Sequence, residues 1–210
     1  MSIIEALQWR YAAKRMNGKQ VPEDKIKSIL EAARLAPTSS GLQPFKIFVV
    51  TNPKLKERIK PLTFNQPQIT ECSHLVIFAA WDAYTINRFE EYFSHYEKER
   101  ELPKGFSDSY KTAVAKQLTS WSIEKQQEHA AKQAYIAASF AMVEAAMLQI
   151  DATPMEGFAA SDLDNLMKFD QQGLKSVLLL PMGYRDAGND WQTGLKKVRK
   201  HEETIIEYLD

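Results

Sequence analysis

Pro37-Thr38-Ser39-Ser40-Gly41-Leu42-Gln43-Pro44-Phe45 runs straight into Lys46-Ile47-Phe48-Val49-Val50-Thr51, and the architecture of the chain turns on this passage. Upstream, Val21-Pro22-Glu23-Asp24 carries the proline and acids of a helix first turn, and Ile26, Ile29, Leu30 and Ala33 recur at helical spacing behind it. Downstream, Phe45 to Thr51 (FKIFVVT) reads as a buried strand. A helix-to-strand connection needs only a Gly or Pro and a polar residue. This one holds three consecutive hydroxyls between two prolines. Prolines restrict the backbone and hydroxyls offer donors and acceptors at small entropic cost, which suits a preformed loop for a polar ligand. The alternative is a Ser/Thr-rich capped turn, and residue types alone favour it.

Outward from this passage the same patterns repeat. Ile3, Ile4, Leu7 and Trp9 predict a short amphipathic helix ending near Arg10. Asn52-Pro53 caps a helix running through Leu62, and His74 to Trp81 (HLVIFAAW) reads as a second buried strand. The segment from about Thr85 to Ser122 is aromatic, charged and helical in tendency, broken at Pro103-Lys104-Gly105. Ser122 to Gln149 predicts a long helix with Ser122 as N-cap and Gln126 nearby. Its stripe of Ala130, Ala134, Ala137, Ala138, Ala141 and Ala145 permits close backbone approach, as in a central helix or a dimer seam. Ala152 to Phe158 reads as irregular, Asp162 to Phe169 as a short helix, and Lys175 to Tyr184 (KSVLLLPMGY) as a strongly apolar strand. Strands scattered among more numerous helices give an α+β or α/β class. Thr204 to Leu209 (TIIEYL) is too apolar for a free end and calls for a covering surface, on its own subunit or a partner.

Composition narrows the function. With 210 residues the chain is read as a single domain, 1–210, able to bury a sizeable core. Lys plus Arg and Asp plus Glu number 27 each, so no global field favours nucleic acid or an anionic membrane. The single cysteine, Cys72, forms no internal disulfide and fits a reducing, cytoplasmic compartment. No secretory signal is read at the N-terminus, and no apolar run approaches the roughly 20 residues of a membrane span.

Common catalytic patterns are missing. There is no G-x-G-x-x-G, no P-loop and no G-x-S-x-G. His74, His95, His129 and His201 lack metal-ligand spacing and read as structural or solvated. Cys72 reads as a buried thiol. Two cationic pairs remain, Arg10 with Lys14 and Lys197 with Arg199, of types suited to phosphate oxygens. Taken alone, each reads more readily as a solvated surface pair. Pro154-Met155-Glu156-Gly157-Phe158 follows the long helix, and its Gly allows either close approach of backbone N–H groups to a ligand or a plain turn.

Taken in order, Arg10-x-x-x-Lys14, Pro37-Thr38-Ser39-Ser40 with Gln43-Pro44-Phe45, Asn65-Gln66-Pro67-Gln68, Pro154-Met155-Glu156-Gly157-Phe158 and Lys197-x-Arg199 resemble the FMN-dependent nitroreductase family, in its oxygen-insensitive, NAD(P)H-using branch. The motifs span nearly the whole chain; the resemblance weakens in the aromatic middle. It implies an α+β fold, with a central, mostly antiparallel sheet flanked by helices, and an intertwined homodimer holding FMN at its interface. It places Arg10, Tyr11, Ala12, Lys14, Pro37, Thr38, Ser39, Asn65, Gln68, Pro154, Met155, Glu156, Gly157, Lys197 and Arg199 around that cofactor. Arg10, Lys197 and Arg199 would take the phosphate; Lys14 and Asn65 would reach the polar edge of the ring. Pro37, Thr38 and Ser39 would come from the partner subunit, and the backbone N–H groups of Glu156 and Gly157 would face flavin N5 and O4. The apolar tail would wrap the other subunit.

Two positions depart from the family pattern. Relatives often carry Ser where Ala12 stands, and some carry Lys where Gln68 stands, a cation whose absence should lower the flavin potential. The implied activity is ping-pong transfer of a hydride from NAD(P)H, through flavin N5, to a nitroaromatic, quinone or similar small acceptor. No side chain is assigned a catalytic role, because the flavin carries the chemistry. A related reductase of enones, pteridines or free flavin fits the same residues. So does a flavin-binding or protein-interaction module without turnover, using the Ala-rich helix and apolar tail for assembly.

Overall fold

The two most apolar runs of the chain, His74–Trp81 and Leu174–Gly183, lie side by side as the central strands of an antiparallel sheet. The structure, a computed structural model, describes residues 1–209. Its elements in chain order are α1 (Ile3–Trp9), α2 (Glu23–Arg34), β1 (Phe45–Val50), α3 (Pro53–Ile59), α4 (Gln68–Glu71), β2 (His74–Trp81), α5 (Ile86–Glu99), α6 (Asp108–Thr119), α7 (Ile123–Met147), β3 (Asp151–Ala152), α8 (Ala160–Met167), β4 (Leu174–Gly183) and α9 (Glu202–Ile205). The strand order is β1-β2-β4-β3, and each neighbouring pair is antiparallel. The α+β expectation and its central antiparallel sheet are borne out.

Side-chain alternation divides the core into two layers. Val76 and Phe78 of β2, with Leu178, Leu180 and Met182 of β4, face α2 and α7. Leu75, Ile77 and Ala79, with Leu179, face Ile59, Ile69, Leu163 and Phe169 on the opposite side. The register between β2 and β4 skips Val177, pairing Phe78 with Leu178 and Ala79 with Ser176. This bulge returns Leu174 to the second layer, where simple alternation from Leu178 would not put it. The alanine stripe of α7 is fully buried from Ala130 to Ala145, so the helix axis comes close to the sheet. A third cluster, built on Phe89, Phe93, Val114 and Leu118, attaches the α5–α6 excursion.

The polar caps read from sequence at Asn52 and Ser122 are formed: Asn52 accepts from the Leu55 N–H at 3.1 Å, and Ser122 accepts from the Lys125 N–H at 3.3 Å. Ser2 and Glu5 add a capping box on α1 beyond those read from sequence. One expectation is corrected. Phe45 to Val50 is a strand but not a buried one: Lys46 and Val49 are exposed and only Val50 is buried. The reason is topological, since β1 is the edge of the sheet and its outer side has no neighbour. Among the described residues, no helix is long and apolar enough to cross a membrane, and no group of His, Cys, Asp and Glu could hold a metal.

Candidate cofactor site

The chain leaving α1 crosses the ends of β3 and β4, and this crossing builds the site. The Thr153 hydroxyl donates to the Ala13 carbonyl at 2.9 Å, and Arg10 Nη2 donates to the Ala152 carbonyl at 3.4 Å. From the other end of the sequence, Lys197 Nζ donates to the carbonyls of Leu7 and Arg10, the exposed acceptors at the α1 C-terminus. Arg10 and Lys197, together with Tyr11, Ala12, Pro154 and Arg199, line a cavity of about 590 Å³.

The electrostatics of this cavity are unbalanced. The Arg10 guanidinium is held below its ordinary pKa by burial first, then by the positive fields of Arg199 and Arg185, with Asp151 opposing. The Lys197 ammonium is lowered by burial and by Arg10 and Arg199. Arg185 differs because it is already paired. Its Nε lies 2.9 Å from Asp151 Oδ1, its backbone N–H donates to Oδ2 at 2.8 Å, and its guanidinium sits between the Trp9 and Tyr11 rings, 4.3 Å and 4.4 Å from their centroids. None of Arg10, Lys197 and Arg199 has a carboxylate within ion-pair distance among the described residues. An anion in the cavity would relieve their mutual repulsion, so a phosphate fits.

Buried Asp190 fixes the backbone beside this cluster. It accepts from the backbone N–H groups of Lys14 at 2.8 Å and Gln192 at 2.9 Å, and from the Tyr11 hydroxyl at 3.2 Å. Burial opposes its charge, but these hydrogen bonds outweigh burial and hold the carboxyl below its usual range. Gln192 Nε2 in turn donates to the Ala12 carbonyl at 3.1 Å.

The third and fourth motifs meet on the same side. Met155 pairs with Leu179 in both directions, at 2.8 and 3.0 Å, and the chain then leaves the sheet at Glu156 and Gly157. Gln66 Nε2 donates to the Gly157 carbonyl at 3.2 Å. Asn65 is exposed, in a left-handed conformation (φ 58°) that Asn tolerates better than most residues. Gln68 is buried, and its amide nitrogen is taken up by Gln66 Oε1 at 3.0 Å and Met155 Sδ at 3.5 Å. Among the described residues, the N–H groups of Glu156 and Gly157 have no protein acceptor.

The hydroxyl loop is not part of this cluster. Thr38 Oγ1 accepts from the Gln43 N–H at 3.1 Å, the Ser39 N–H donates to Gln133 Oε1 on α7 at 2.8 Å, and Ser40 Oγ accepts from the Tyr110 hydroxyl at 3.0 Å. Ser40, Gly41 and Gln43 all adopt positive φ, so the loop is a tight, self-capped turn. Pro37 and Ser39 are exposed on it. One chain therefore assembles Arg10–Lys14, Asn65–Gln68, Pro154–Gly157 and Lys197–Arg199, and leaves Pro37–Ser39 elsewhere. Sequence reasoning missed the Asp151–Arg185 pair, the Asp190 bracket and Tyr135, whose hydroxyl donates to Glu156 Oε1 at 2.7 Å.

The Nitroreductase family profile matches residues 7–184, most of the chain. The chain belongs to the nitroreductase family. It is similar to the major NAD(P)H-flavin oxidoreductase of Aliivibrio fischeri, with 30% identity over 217 aligned residues covering 99% of this chain and 98% of that protein. Its fold is that of a nitroreductase-like protein from Streptococcus mutans (TM-score 0.81, 22% identity, 99% of this chain and 98% of the other covered). It is also that of a family protein from Exiguobacterium sibiricum crystallised in complex with FMN (TM-score 0.84, 18% identity, 100% and 98% covered). The nitroreductase resemblance read from the five motifs is thereby borne out as to family and fold.

Proposed function

We propose that this nitroreductase-family protein is an NAD(P)H-dependent FMN oxidoreductase of the cytoplasm, acting as a homodimer on nitroaromatics, quinones or similar small acceptors. The observation that carries this reading is the convergence of Arg10, Lys197 and Arg199, mutually repelling and without an ion-pair partner among the described residues, on one cavity. Names of relatives support the cofactors: one is an NAD(P)H-flavin oxidoreductase, and one neighbour holds FMN.

FMN combines a phosphate dianion with a flat ring whose polar edge needs donors, and the residues present fit both ends. Arg10, Lys197 and Arg199 would hold the phosphate, with Tyr11, Ala12 and Pro154 lining the wall. Lys14 and Asn65 would face the polar edge, and the acceptor-free N–H groups of Glu156 and Gly157 would face N5 and O4. Met155, paired to β4, sets where those N–H groups emerge. Gln68 would serve only through its oxygen or by turning its amide, which fits a weaker influence than a lysine in that place. When bound, FMN supplies hydride acceptance from NAD(P)H and electron delivery to the acceptor. The protein contributes binding, orientation and water exclusion.

The missing wall points to dimerisation. Pro37, Thr38 and Ser39 lie away from the cluster in their own chain, so they would complete the partner's site. Ile3, Ile4 and Leu7 on α1 and Ile136 and Phe140 on α7 are exposed apolar side chains. The tail is more so, with Tyr208 83% and Leu209 87% exposed. Surface of that kind calls for a partner.

The test is direct. The purified protein should sediment as a dimer, be yellow or turn yellow on adding FMN, bleach under anaerobic NAD(P)H, and recover colour with a nitroaromatic or quinone. Protein that takes up no FMN would sink the reading; flavin that binds but resists NAD(P)H would point to a binding module without turnover.

A further inference from the structure

Glu156 and Gly157 form an exposed two-residue step between anchored neighbours. Before it, Met155 is paired to Leu179; after it, the Ala159 N–H donates to the Leu62 carbonyl at 2.8 Å. Gln66 holds the Gly157 carbonyl. Among the described residues, a single hydrogen bond holds the Glu156 side chain, from the Tyr135 hydroxyl to Oε1 at 2.7 Å. Tyr135 is firmly rooted, because its neighbours Ala134, Ala137 and Ala138 on α7 are fully buried against the sheet. Its hydroxyl also lies 3.1 Å from the carbonyl of Val177, the residue skipped by the β2–β4 register. A phenol has one hydrogen to give, and the carboxylate is the stronger acceptor. Burial and the adjacent Glu156 push the phenol above its ordinary pKa, so it stays a donor throughout the neutral range.

We propose that Tyr135 is a positioning residue: by holding the Glu156 side chain from α7, its hydroxyl fixes the direction in which the Glu156 and Gly157 N–H groups are presented. This rests on the FMN reading, in which those donors face the flavin ring. Tyr135 acts through Glu156, and its effect passes through the peptide units on either side of that residue. Each unit is held at its carbonyl, Met155 O by the Leu179 N–H at 3.0 Å and Glu156 O by the Phe158 N–H at 2.9 Å, and the Tyr135 bond adds a side-chain restraint that sets their tilt; without it the two donors would lose alignment.

The experiment compares Tyr135→Phe, Glu156→Gln and Glu156→Ala with the parent, as FMN-loaded dimers. Phe keeps the ring and its packing, and Glu156 is exposed, so the fold is spared. Tyr135→Phe should lower the flavin midpoint potential and slow single-turnover reduction by NAD(P)H about tenfold, the scale of one charge-assisted hydrogen bond. FMN affinity, set mainly by the phosphate cations, should change less than about threefold. Glu156→Gln keeps an acceptor for the phenol and should restore most of the potential, whereas Glu156→Ala should match Tyr135→Phe. The double variant Tyr135→Phe/Glu156→Ala should be no worse than either single one. An unchanged potential in Tyr135→Phe, or additive losses in the double variant, would overturn the proposal while leaving the FMN reading intact. Parent protein that takes up no FMN would overturn both.

Discussion

Replacing Arg10 by Met should weaken FMN binding while leaving the flavin-free fold at least as stable. The two effects have opposite signs because the same charge is costly without an anion and useful with one. In the free protein, burial, Arg199 and Arg185 disfavour the Arg10 charge, and Asp151 offsets them only in part. Its one hydrogen bond within the chain, to the Ala152 carbonyl, is long at 3.4 Å. Methionine keeps an apolar stem and removes the disfavoured charge. Against a bound phosphate the balance reverses: a hydrogen bond to a charged group contributes about 1.5–3 kcal/mol. At about 1.4 kcal/mol per tenfold, that is a loss of roughly 10- to 150-fold in affinity. FMN titration of the flavin-free protein by fluorescence quenching reads the affinity, and thermal unfolding at low salt reads the stability. Affinity within about twofold of the parent would refute the phosphate role. A melting temperature that falls along with affinity would show that Arg10 acts by supporting the fold.

Further outcomes follow from the same geometry. Burial, Arg10 and Arg199 lower the folded pKa of Lys197, so this group favours unfolding while charged and that penalty fades as pH rises through its folded value. FMN affinity should therefore begin to fall below the usual lysine range, and Lys197→Arg should move that fall to higher pH in alkaline titrations. Burial raises the Cys72 thiol to about 11, so the thiol should resist iodoacetamide in the native protein at mildly alkaline pH and react once unfolded; rapid native labelling would contradict its burial. For the same reason its contribution to stability is complete below the ordinary thiol pKa and lost as pH rises toward 11. Ser39→Tyr alters an exposed loop residue and should leave each chain folded while blocking the partner's site. Mixed dimers of Ser39→Tyr and Arg10→Met protomers should then recover one intact flavin site, whereas either variant alone has none; failure to recover any would count against a site shared between subunits.

Much of the fold is legible because it depends on local signals. Asn52 and Ser122 announce helix starts through their own side chains, and the octet His74–Trp81 is apolar enough to be central. The edge position of β1 is not legible, since FKIFVVT carries the apolarity of a central strand and only the strand order exposes it. The site divides in the same way. Its cations and its Glu156-Gly157 step stand out once their order along the chain is considered. Arg185 does not, because it reaches Trp9, Tyr11 and Asp151 only through the antiparallel pairing that sets β3 beside the end of β4. Tyr135 was hidden for another reason: an aromatic residue on an alanine-rich helix reads as packing, and its hydroxyl bond to Glu156 crosses 21 positions of sequence.

The charge balance of the whole chain makes the local imbalance informative. With 27 residues of each sign the chain carries no overall excess of cations, and two arginines near the site are paired: Arg15 with Glu71 at 2.8 Å and Arg185 with Asp151 at 2.6 Å. Arg10, Lys197 and Arg199 instead converge on one cavity with no carboxylate in ion-pair distance among the described residues, and such an arrangement costs stability unless an anion arrives. The same helix then ties both parts of the proposed site to the core. Gln133 of α7 holds Ser39, and Tyr135, two residues on, holds Glu156. In the proposed dimer Ser39 serves the partner's flavin and Glu156 serves its own, so α7 supports one wall of each site. A shift of α7 would disturb both flavins together, which gives the close alanine packing of that helix a functional consequence beyond stability.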